Sequence, residues 1–93
     1  MDIFKLLGLK DEFRKVNRHW GDKMPMMTME EAGELIQAIS KLERSDERTN
    51  ELVDNVSDEM ADVLISVAAL SYRYGISFSD VMNKVDKKLC KRY

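Results

Sequence analysis

With 93 residues, 44% of them hydrophobic and 34% charged, the chain has the size and balance of a single small, amphipathic domain spanning 1–93. A formal charge of −2 gives no general attraction to a nucleic-acid polymer, and a single cysteine excludes an internal disulfide or a thiolate metal cluster. No apolar run approaches membrane-spanning length, and the start MDIFKLLGLKDEF carries no basic leader with a cleavage site, so no membrane partner and a reducing, cytoplasmic location are expected.

Apolar residues recur at intervals of three and four rather than two, and Pro25 is the one proline, so the spacing predicts an all-α chain. A short N-terminal turn should end near Gly8, and a first helix should cover about Lys10 to Trp20. Gly21 through Met27, containing Pro25, forms the first break. Thr28 is placed to cap a second helix, with Glu31 in the capping-box position, and that helix should run to about Arg44. The polar stretch Ser45 to Asn50 reads as a loop. A third helix follows from about Glu51 to Tyr74, stopped by Gly75. Ser77 or Ser79 then opens a fourth helix that reaches the C-terminus.

The second and third helices should pair as an antiparallel hairpin. Ala32, Leu35, Ile36, Ile39 and Leu42 form one apolar stripe, and Val53, Val56, Met60, Val63, Leu64 and Val67 form the other. One hairpin cannot enclose a four-helix core, and a domain this small has difficulty burying its apolar surface alone. A homodimer in which two hairpins complete a four-helix bundle is therefore expected, with pairing of dimers into tetramers left open.

Two acidic words stand out against this pattern: Glu30-Glu31-Ala32-Gly33-Glu34 and Glu59-Met60-Ala61-Asp62. On a helical wheel Glu31 falls between Ala38 and Leu42 at the edge of its stripe, with Glu34 about 60° further out. Glu59 falls beside Leu52 and Leu70, with Asp62 again about 60° further out. Single helical carboxylates are mostly solvated, and Glu31 has its capping role as an alternative. Two pairs with the same spacing and the same offset favour a shared purpose. Four anions at a core edge repel strongly unless a hard cation joins them, and Mg²⁺ is the common choice where phosphates complete its shell. A di-iron or di-manganese bundle would want Glu-x-x-His twice, and His19 is the one histidine.

The order Glu-Glu-x-x-Glu followed by Glu-x-x-Asp, in EEAGELIQAI and DEMADVLISV, resembles the MazG-type all-α nucleoside triphosphate pyrophosphohydrolases. That superfamily includes dimeric dUTPases, dCTPases and phosphoribosyl-ATP pyrophosphohydrolases, and the resemblance runs from about Trp20 to Tyr93. It implies Mg²⁺ bound by Glu31, Glu34, Glu59 and Asp62, and cleavage of a canonical or modified nucleoside triphosphate to a monophosphate and pyrophosphate. A role in nucleotide-pool cleaning or regulation would follow. Glu31 and Glu34 are the candidates for the base that activates water, and the sequence does not choose between them. A specialist dCTPase, dUTPase or phosphoribosyl-ATP pyrophosphohydrolase is the alternative within this class. A catalytically inactive helical dimer serving as an interaction module is the rival from another class.

Family members use the last helix to supply a lysine, an asparagine and a basic residue toward the phosphates. Lys84 takes the lysine position, Lys88 stands where the asparagine is expected, and Asn83 lies on another face. Lys84, Lys88 and Lys91 follow one edge of the stripe formed by Phe78, Val81, Val85 and Leu89, which suits contact with an anion. Trp20 is suited to stack on a nucleobase with His19 beside it, although such a pair more often wedges a helix end. Met24, Met26, Met27 and Met29 could line an adaptable base pocket, gap-filling being the commoner role. Gly33, between the two glutamates, admits either a close ligand or a helix crossing.

Overall fold

The computed structural model describes residues 8–92, which fold as four α-helices and one 3₁₀ turn with no strand among them. Helix α1 spans Lys10–Trp20, the 3₁₀ turn Gly21–Lys23, α2 Met24–Arg44, α3 Asn50–Arg73 and α4 Phe78–Arg92. The N-terminal turn expected before Gly8 lies outside the described residues.

Helix α1 follows its expected bounds, with Asp11 and Glu12 in the first turn and Arg18 and His19 in the last, as the helix dipole favours. The break after it is shorter than the sequence reading allowed. Helix α2 begins at Met24, with Pro25 in the first turn, where its missing N–H and fixed φ are tolerated. Thr28 is consequently no cap. It sits one turn inside the helix, and its Oγ1 donates to the Met24 carbonyl at 3.1 Å. Met24 is 1% exposed, so burying its side chain fixes the helix start upstream of the polar signal.

The loop between the hairpin helices ends at Thr49, whose Oγ1 accepts from the Leu52 N–H at 3.2 Å and caps α3. At the other end of α3 the chain reverses through Gly75, at φ +66°. The Ile76 N–H donates to the Ser71 carbonyl at 2.9 Å and the Gly75 N–H to the Tyr72 carbonyl at 3.4 Å. Those two bonds make a Schellman stop that only glycine adopts without strain. Ser77 then opens α4, its Oγ accepting from the Asp80 N–H at 3.4 Å.

Helices α2 and α3 form the antiparallel hairpin, and α1 crosses α3. Their seam is rotated relative to the expected stripes. Ala38 is buried and Leu35, Leu42, Val56 and Val63 are half-buried, whereas Ile36 and Leu64 are 67% and 71% exposed. Alanine and serine line the inner face of α3 toward its C-terminus, where Ser66, Ala68, Ala69 and Ser71 are buried. Such small residues let α1 approach closely. Arg73 anchors that approach by donating to the Gly21 carbonyl at 3.1 Å and to Asp22 at 3.3 Å.

Helix α4 has no buried residue and stands off the hairpin, touching α1 through the Phe78 and Phe13 rings at 5.9 Å between centroids. This open arm raises the radius of gyration to 15.2 Å. A compact domain of this length would have a radius of about 12 Å.

Candidate functional site

The rotated seam carries the two acidic words to the middle of the hairpin. Glu31 and Glu59 are half-buried where α2 and α3 meet, and Glu34 lies further out on α2. One carboxylate oxygen from each of these three residues falls within 4.8 Å of the others. Asp62 lies outside that trio but borders it, close enough to raise the pKa of both Glu31 and Glu59.

Burial is the first reason that Glu31 and Glu59 sit above the ordinary carboxyl value. The negative charge of Glu34 is the next cause for each, followed by Asp62. Every influence runs in the same direction, and none comes from a cation. The Oε2 atoms of Glu31 and Glu59 are sealed from solvent without a hydrogen-bond partner. A sealed, unpartnered carboxylate oxygen is costly. An oxygen-ligated divalent cation would relieve both the orphaned oxygens and the repulsion, so this donor set fits Mg²⁺ or Mn²⁺ well.

The raised values carry a sign for stability. A carboxyl that holds its proton more tightly when folded weakens the fold as pH rises from the ordinary carboxyl range through the raised value. Metal-free protein should therefore melt higher at pH 5 than at pH 7.5. Glu34→Gln, which removes a charge facing both groups, should shrink that difference. Melting scans in a chelator would check this, and an unchanged difference in the variant would refute it.

Beside the carboxylates lies a small cavity of about 100 Å³, bordered by Glu31 and Asp62. Val16 and Trp20 come from α1, Met24 and Met27 from α2, and Ile65 and Ser66 from α3. Trp20 is half-buried, and His19 packs edge-on against it at 5.0 Å between ring centroids. The structure thus puts Trp20 next to the acidic site. Among the four methionines, Met24 is core, Met27 lines the cavity, and Met26 and Met29 are exposed. Sequence reasoning passed over Ser66, although its spacing of four from Asp62 places both on one helix face. A wider groove of about 440 Å³ lies between α1 and α3, and its Glu12 is already paired with Lys15 at 3.3 Å.

Lys84, Lys88 and Lys91 are exposed on α4, and among the described residues none forms an ion pair. Lys84 lines a surface hollow with Ser77, Asp80 and Asn83 at the root of its own helix. Within the chain, then, the acids converge and the lysines remain apart from them.

The all-helical hairpin with paired carboxylates on facing helices defines a class that comparison makes explicit. The chain belongs to the MazG nucleotide pyrophosphohydrolase domain family, which it matches over residues 21–93. It is also similar to the uncharacterized protein YvdC of Bacillus subtilis (strain 168), with 35% identity over 96 aligned positions covering 91% of this chain and 89% of that protein. No solved structure matches the chain significantly. No described helix is long and apolar enough to cross a membrane.

Proposed function

We propose that the protein hydrolyses a nucleoside triphosphate to a nucleoside monophosphate and pyrophosphate with Mg²⁺ held by Glu31, Glu34, Glu59 and Asp62. The observation that carries this reading is the convergence of three carboxylates within 4.8 Å, two of them with sealed and unpartnered oxygens, in a chain of this family. Bound metal would neutralise the phosphate oxygens and make a coordinated water more acidic. Water adds across the α–β phosphoanhydride, and Glu31 or Glu34 takes its proton as the pyrophosphate leaves. Trp20 borders the same recess and stacks on the base. Lys84, Lys88 and Lys91 serve the polyphosphate, and α4 must close on the acids to bring them there. Clearing or regulating the cytoplasmic nucleotide pool is the role this reaction serves.

The active form is a homodimer. Met29 and Ile36 on α2 and Val53, Met60, Leu64 and Val67 on α3 leave an apolar face on the hairpin in the protomer. Asp62 lies about 160° around α3 from Met60, and Glu34 lies the same angle around α2 from Ile36. Two hairpins joined by the apolar face thus complete a four-helix bundle and leave the acids open. Gly33 sits between Met29 and Ile36, and a Cβ there would meet nothing within 4 Å in the protomer. Its small size suits the close crossing of a partner helix.

The test is incubation with Mg²⁺ and a panel of ribo- and deoxyribonucleoside triphosphates, with the products separated by chromatography. Monophosphate with pyrophosphate is the expected pair. Diphosphate with orthophosphate would place cleavage at the other anhydride, and no turnover on the panel would count against the enzyme.

A further inference from the structure

Two sets of groups in the chain lack their counterparts. Glu31, Glu34 and Glu59 gather without a lysine or arginine paired to any of them among the described residues. Lys84, Lys88 and Lys91 on α4 are equally unpaired there. The apolar side of α4 is unmatched as well. Val81, Val85 and Leu89 recur every four residues along about 12 Å of helix. Val85 is 41% exposed and Leu89 53%, and α4 buries no residue over its whole length. Such a stripe favours whatever removes it from water.

One surface of the chain answers both needs. The groove of about 440 Å³ between α1 and α3 is walled by Leu9, Phe13, Val16, Trp20 and Ile65. Val16, Trp20 and Ile65 also wall the recess that Glu31 and Asp62 border, so the groove runs directly beside the acids. On α4, Lys88 and Lys84 lie about 60° and 100° from the centre of the stripe, both on one side. A helix seated in the groove through Val81, Val85 and Leu89 therefore turns its lysine edge toward the acids in one of its two directions. The chain's own α4 is held away from that position. The Ile76 N–H bond to the Ser71 carbonyl, the Ser77 cap and the Phe78 ring against Phe13 fix how it leaves α3, and the stripe beyond them stays uncovered.

We propose that α4 is exchanged between two copies of the chain. Its stripe seats in the α1–α3 groove of the second copy, and Lys84, Lys88 and Lys91 complete that copy's acidic site. The proposal rests on the nucleotide reading for what the lysines bind, and goes beyond it by assigning them to the other chain. Charge supports the pairing, because the basic edge of α4 arrives where anions outnumber cations. Neither copy holds a complete site by itself.

The test uses two residues that each occur once: Trp20, which walls the groove, and Cys90, which is exposed on α4. One copy carries Trp20→Phe and a dye on Cys90 that absorbs tryptophan emission. The other carries Cys90→Ser and keeps Trp20. After the two are refolded together, the dye should quench Trp20 of the other chain. It should quench Trp20 of its own chain less, read with a doubly equipped copy diluted into Trp20→Phe, Cys90→Ser protein. Val85→Asp in the labelled copy should abolish the transfer between chains. Stronger transfer within a chain would mean that α4 closes on its own groove, and would overturn the exchange. Transfer that survives Val85→Asp, or parent protein that stays monomeric, would overturn it too.

Activity supplies an independent arm. Glu34→Gln, and a copy with Lys84, Lys88 and Lys91 all changed to Ala, should each be nearly inactive alone. Refolded together in equal amounts they should recover about a quarter of parental hydrolysis, since half of the dimers are mixed and each mixed dimer has one complete site. Absence of recovery, with an active parent, would overturn the exchange and leave the enzyme standing. Parental activity in the lysine variant would overturn the exchange as well. Transfer between chains in a parent that hydrolyses no nucleotide would instead sink the nucleotide reading and leave the seating of α4 intact.

Discussion

Replacing Glu34 by glutamine should lower kcat for nucleotide hydrolysis by about 10³-fold, the scale of losing a general base or a charge at the metal. That corresponds to about 4 kcal/mol of transition-state stabilisation. The reason lies in where Glu34 stands. It is the outermost member of the 4.8 Å trio and raises the pKa of both Glu31 and Glu59. Glutamine keeps the volume and removes the charge. The fold should accept this readily, because one fewer anion in a repelling cluster relieves metal-free protein. A sharp loss of activity alongside an unchanged or raised melting temperature is thus the expected signature. Activity within tenfold of the parent would remove Glu34 from the site. Asp62→Ala should act in the same direction and leave the proposed dimer intact.

The second large effect concerns the opposite face. Leu64→Asp should weaken the proposed dimer by at least about 10³-fold, because twofold symmetry would bury the new charge twice in its apolar interface. Ile36→Asp should do the same from α2. Both residues are about two-thirds exposed in the single chain, where a polar substitution would ordinarily change stability little. Dimer loss without loss of helicity therefore separates an interface from a core. Sedimentation equilibrium at micromolar protein would read the outcome. Parent protein that sediments as a monomer, or a variant that stays dimeric, would refute the bundle.

The chain makes its helices legible because local rules agree with the final structure. Periodicity marks all four, Gly75 supplies the stop that α3 needs, and the Trp20 boundary of α1 stands. The start of α2 departs from the local signal for a specific reason. Thr28 and Glu31 form a proper capping signal, but the helix continues upstream through Pro25 to bury Met24. A tertiary contact outweighed a local preference.

What the sequence by itself determined is the all-helical chain, the spacing of the four acids and, through that spacing, membership of the family. A helix fixes the angle of each side chain about its own axis, so the match between Glu31–Glu34 and Glu59–Asp62 needs no partner to be seen. Only the tertiary structure decided how the two axes are rotated against each other. That rotation turns Glu31 and Glu59 into the seam and leaves Ile36 and Leu64 outside. It also seats Trp20 beside the acids and recesses Ser66 behind them. The physical reason is that pairing energy belongs to both helices and to α1 together: small residues along α3 admit α1 on one side, and the apolar remainder stays exposed on the other.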